Sequence, residues 1–120
     1  MAEYVVLITG DADRWWTSMT EEERRRGYAE YTRFDAELER RGHRVTGGAE
    51  LHGMAEARRI APGGTEVTTG PFTETTEQVG GFYLVETEDL DDLLQTCTIL
   101  TALGDGIEVR RVVTNDERPA

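Results

Sequence analysis

The sequence predicts an α+β fold, a ferredoxin-like βαββαβ antiparallel sheet with an extra hairpin and two helices on one face. Three observations predict it. Short β-branched or aromatic runs stand at residues 4–8, 82–86 and 107–113. Two segments, 21–41 and 89–103, repeat apolar residues at helical spacing. In chain order these read β-α-β(hairpin)-β-α-β, the split βαβ arrangement.

Each element has its own signal. YVVLI at 4–8 is strand-length and stops at Gly10 and Asp11. GDADRWWTSM reads as an irregular loop. Thr20 opens a capping box with Glu23, and three acids in the first turn suit the helix dipole. Tyr28, Tyr31, Phe34 and Leu38 then share one helix face, with Arg24, Arg33, Glu37 and Arg40 on the other, and Gly42 is the expected stop. Residues 43–51 read as extended, with Gly47-Gly48 marking a bend or bulge. Pro62-Gly63-Gly64 is a turn signal between strands at 55–60 and 65–69. Leu90, Leu93, Leu94, Cys97 and Leu100 form one stripe of the second helix. In the last strand Ile107 and Val109 are expected inward, Glu108 and Arg110 outward. One domain, 1–114, is followed by a polar frayed tail, 115–120.

Composition narrows the function classes. A chain of 120 residues supports one core. Its net charge is −11, from 24 acidic residues against 13 basic ones, all arginine. That balance argues against nucleic acid and against anionic membrane surfaces, both of which repel it. The sequence contains no run of roughly 20 apolar residues, so no membrane span and a cytoplasmic protein are expected. A single cysteine, Cys97, permits no internal disulfide and reads as a buried apolar residue. No His/Cys/Asp/Glu spacing resembles a metal site, and no nucleotide-binding motif is present, so neither metal nor cofactor is expected.

The most specific stretch is TTGPFTETTEQVGG at 68–81, directly before FYLVE. Gly70 permits an unusual turn and Pro71 fixes φ, which makes a rigid corner aiming Phe72 one way. Phe72 is either a core plug or a pocket wall. Glu74 and Glu77 stand three apart and would share a face on a helical turn. Close carboxylates can bind a cation, share a proton or cap backbone donors; the plain alternative is solvated loop residues. Gly80-Gly81 allows close backbone approach.

This stretch resembles the YCII-related family, and within it the DGPF-domain branch. There the hairpin strand ends in Asp-Gly-Pro-Phe, followed by Glu, Lys-Glu, Gly-Gly and an aromatic strand. Gly70, Pro71, Phe72, Glu74, Glu77, Gly80, Gly81, Phe82 and Tyr83 match. The likeness extends to YVVLITGD, a tryptophan before the first helix, Gly47-Gly48 with Leu51, the Asp89–Leu93 helix start and IEVRRV. It implies pairing of two chains, a homodimer, as a dimeric α+β barrel that encloses a cavity for a small organic ligand. Thr69 stands where the family has aspartate, and Thr76 where it has lysine. Better-characterised relatives carry a His/Asp pair whose histidine lies near the start of the first helix; residues 17–28 here contain none.

Further candidates follow from residue chemistry. His43 follows the helix C-terminus, where the dipole favours a cationic imidazole, whereas His52 follows the glycine bend and can face a cavity as a proton shuttle. Of the adjacent Trp15 and Trp16, one is expected to anchor the loop and the other to line a cleft or meet a second subunit. Asp11 and Asp13 are either cleft-mouth residues or loop formers. The expected catalytic set is therefore Glu74, Glu77 and His52. The expected ligand-binding set is Asp11, Trp15, Trp16, Thr69, Phe72 and Phe82. Two functions compete: a small-molecule-binding dimer with acid/base, isomerase- or lyase-like chemistry, and a non-enzymatic regulatory or interaction module. The second draws on the sigma-factor gene neighbourhoods that the resemblance implies.

Overall fold

The computed structural model describes residues 1–70 and 77–120. Among them, β1 (Ala2–Gly10), β2 (Arg44–Glu50), β5 (Gln78–Thr87) and β6 (Gly106–Arg111) form a four-stranded sheet in the order β2-β5-β1-β6. Every neighbouring pair is antiparallel. β3 (Arg58–Ile60) and β4 (Val67–Thr69) make a separate hairpin around the expected Pro62-Gly63-Gly64 turn.

Among the described residues four α-helices accompany the sheet: α1 (Ala12–Thr17), α2 (Glu21–Arg40), α3 (Leu90–Thr96) and α4 (Thr98–Thr101). The α2 start is as its sequence dictates. Thr20 Oγ1 accepts from the Glu23 amide and Glu23 returns the bond to the Thr20 amide. Its end is a Schellman cap: Gly42 takes φ +82° and the His43 amide reaches back to the Leu38 carbonyl at 2.8 Å.

Strand alternation puts Val6 and Ile8 of β1, and Val85 of β5, against Phe34 and Leu38 of α2 and Leu93, Cys97 and Leu100 beyond β5. Tyr4, Tyr31, Tyr83, Ile107 and Val109 complete this core from its margins. Burial pushes the Cys97 thiol up to about 11, which keeps it protonated and unreactive. The opposite set, Val5 and Leu7 with their cross-strand partners Leu84 and Phe82, faces away from the helices. The molecule is 18 Å across its shortest axis, one sheet and one helical layer.

Several local expectations are corrected. GDADRWWTSM is not an irregular loop: Asp11 caps α1 through the Arg14 amide, and a six-residue helix follows. The second helix is broken at Cys97 into α3 and α4, and Leu90 and Leu94 lie on its exposed side. β5 is twice the expected length because Gly80 and Gly81 continue it. The bulge in β2 falls between Val45 and Gly47, and Gly48, at φ +147°, is the position where a Cβ would lie 2.5 Å from the Phe82 carbonyl oxygen. The C-terminal stretch is pinned rather than frayed: Asn115–Glu117 forms a 3₁₀ turn, and Arg111 grips Glu117 with two hydrogen bonds. That pairing holds the Glu117 carboxyl at about 2.

Candidate functional site

A cleft of about 950 Å³ opens beside α1 and the N-terminal half of α2, over the β1, β2 and β5 backbones. Its position follows from sequence. Gly27 interrupts α2 at a buried point where a Cβ would come within 2.6 Å of the Trp15 ring. The indole lies in that notch and meets Tyr28 edge-on at a centroid distance of 4.9 Å. Trp16, next along α1, stacks on His52 at 4.2 Å and 21°. Asp13 ties this wall down by accepting from the Met54 amide at 2.7 Å.

Two carboxylates face the cleft, each held by a tyrosine. Tyr31 Oη donates to Asp105 at 2.8 Å, and Tyr28 Oη donates to Glu50 at 2.9 Å. Asp105 sits between Gly104 and Gly106 at the turn from α4 into β6. Burial raises its pKa, opposed by the Tyr31 hydrogen bond and the charge of Arg14. Tyr31 is held far above the ordinary phenol value, first by burial and then by the charge of Asp105. Tyr83 is raised by burial, then by Asp35 and Glu50. Tyr28 is raised by burial. These phenols therefore stay protonated and act as donors. The Trp15 Nε1 is shielded from solvent with no acceptor in full hydrogen-bond geometry among the described residues, though its N–H still favours an ionised Tyr28.

The expected site residues separate into groups. Asp11, Trp15 and Trp16 line this cleft, and Phe82 borders it at the sheet, where strand alternation turns its side chain to the opposite face. His52 is exposed and stacks on the Trp16 ring. Glu77 borders a shallower hollow of about 260 Å³ with Thr9, Val79 and Glu108, its Oε1 close beside Gly106. Thr69 is exposed on β4, in the hairpin. Phe72 and Glu74 lie outside the described residues, as do Pro71 and Thr76.

His43 belongs elsewhere and is buried. Its Nδ1 meets Thr87 Oγ1 and its Nε2 meets Asp92 Oδ2, both at 2.7 Å. His43 stands at the α2 C-terminus as expected, and its side chain is held there by residues of β5 and α3.

Tyr28, Tyr31, Glu50 and Asp105 were not legible as a site. The two tyrosines share the core-facing periodicity of Phe34 and Leu38, and only the contacts across the fold distinguish them. A lone aspartate between two glycines, after a helix and before a strand, was the one usable sign.

Among the described residues no helix is long and apolar enough to cross a membrane, and no group of three His, Cys, Asp or Glu side chains is placed to hold a metal. No curated protein matches the chain. The model of the YCII-related domain matches residues 2–115, nearly the whole sequence, and the chain belongs to that family.

Proposed function

We propose that the protein is a small-molecule-binding homodimer of the DGPF type, capable of acid/base chemistry of the isomerase or lyase kind. The observation that carries this reading is the aromatic-walled cleft with its two tyrosine-held carboxylates. Asp105 suits the base: burial raises its proton affinity toward the working range, and Tyr31 supplies a neighbouring hydroxyl. Glu74 and Glu77, from the motif loop, are the alternative bases, with His52 as a shuttle.

The strand order β2-β5-β1-β6 supports the ferredoxin-like description, and the half-buried apolar face of Val5, Leu7, Phe82 and Leu84, turned away from the helices, supports pairing with a second copy as an α+β barrel. Sedimentation should give twice the 13.5 kDa of one chain; a strict monomer removes the assembly. A thermal-shift screen of small acids, amines and lactones tests the site. No stabilising compound would remove the binding reading. A catalysed proton exchange that survives Asp105→Asn, Glu74→Gln and Glu77→Gln alike would remove the acid/base reading.

A second reading, the regulatory or interaction module, draws on the hairpin, where Ile60 and Val67 pair across the strands with both side chains exposed. It requires a partner protein whose capture is lost on Ile60→Ser with Val67→Ser. Recovery of the chain alone counts against it.

A further inference from the structure

We infer that the cleft selects a small organic cation, a protonated or quaternary amine carrying an apolar or aromatic body. The inference rests on the binding reading above and adds the charge of the ligand.

Five carboxylates border the cleft, and their occupations differ. Asp11 is committed to the α1 cap, Glu23 to the capping box and Glu30 to Arg33. Glu50 and Asp105 instead receive one tyrosine hydroxyl each and, among the described residues, form no ion pair within 4 Å. A carboxylate offers about four acceptor positions, so one phenol leaves most of each unused. Two such groups in one concave site, Asp105 half-buried and Glu50 exposed at the rim, disfavour an anion, and the charge of Arg14 offsets only part of this at Asp105.

The walls fit the same ligand. Trp15, Trp16, Tyr28, Tyr31 and Tyr83 line the same cleft as these carboxylates, and ring faces attract cations through their quadrupoles. The charge of Glu50 reaches Tyr28, Tyr31 and Tyr83 alike, so rings and carboxylate occupy one small region. Arg14 and Arg26 also border the cleft, and Glu23 feels the charge of both. A chain of net charge −11 raises the local concentration of cations before contact.

Both tryptophans of the chain line the cleft, so intrinsic fluorescence reads occupancy directly. Three probes of one shape separate the terms: benzyltrimethylammonium, benzyl alcohol and phenylacetate. Benzyltrimethylammonium should bind at least about fivefold more tightly than benzyl alcohol, from the cation–π and carboxylate contributions, with phenylacetate weakest. Asp105→Asn and Glu50→Gln should each weaken the cation by roughly threefold or more while leaving benzyl alcohol unchanged. Equal binding of all three, or preference for phenylacetate, overturns the charge inference and leaves the cleft a binding site. Loss of response to all three probes overturns the binding reading itself.

Discussion

At the Thr87 end of β5, a buried histidine is tied to a half-buried carboxylate; at the Gly81 end, tyrosines and carboxylates face a cleft. His43 is 2% exposed, and both of its ring nitrogens are paired. Thr87 Oγ1 accepts the Asp89 amide and pairs with His43 Nδ1, while His43 Nε2 pairs with Asp92 Oδ2. Arg41 closes the set by binding Asp92 and Thr96. At the other end, Asp105 and Glu50 have one hydroxyl apiece, and the Trp15 N–H lacks a well-aligned acceptor among the described residues. A saturated buried network specifies structure, whereas a partly saturated one beside a cavity has capacity left for a ligand.

The largest expected effect tests the closed end. His43→Ala removes a fully buried ring and strands Thr87 and Asp92, at a cost of about 2–4 kcal/mol. Urea unfolding measures it. A loss below about 1 kcal/mol would mean that the network adds little, and the contrast between the two ends would fail.

Gly27→Ala probes how the open end is shaped. In an ordinary helix interior the change would stabilise by about 1 kcal/mol. Here the new Cβ would meet the Trp15 ring at 2.6 and 2.7 Å, and displacing the indole costs roughly 1–3 kcal/mol. The net expectation is a small loss of stability with a red shift of tryptophan emission. A gain of stability with unchanged emission would show that the ring does not occupy the notch.

These two positions also mark how far the sequence could be read. Sheet, helices and hairpin follow from local period, caps and turn residues, because those signals sit within a few residues of their effect. Thr20, Gly42 and Pro62-Gly63-Gly64 each act where they stand. Gly27 does not: it makes room for Trp15, twelve positions earlier and on another helix, so nothing in its neighbourhood announces it. Tyr31 and Asp105 are joined across 74 positions, Tyr28 and Glu50 across 22. Of the residues expected around a ligand, Asp11, Trp15 and Trp16 do border the cleft, and an aromatic pair beside an aspartate in a connecting segment was unusual enough to single them out. His43 was placed near a helix end, but its partners come from β5 and α3, and no local pattern carries them.

The smallest effect has the opposite sign from the first. Asp105 is raised by burial, so its folded pKa lies above its unfolded value. Between those two values the folded chain binds more protons than the unfolded one, and stability falls as pH rises through them. The cost grows as pH rises through the folded value and is absent below the unfolded carboxylate value of about 3.9. Asp105→Asn deletes the charge and keeps an oxygen to accept from Tyr31. It should therefore stabilise the protein at pH 7 by about 0.5 kcal/mol, toward the low end for such changes because water screens a half-exposed group. Measured against the parent chain in urea at pH 7 and again near pH 3.5, the gain should vanish in acid. A loss of stability at pH 7 would make Asp105 an anchor of the same kind as Asp92. The two ends of β5 would then differ only in exposure, not in purpose.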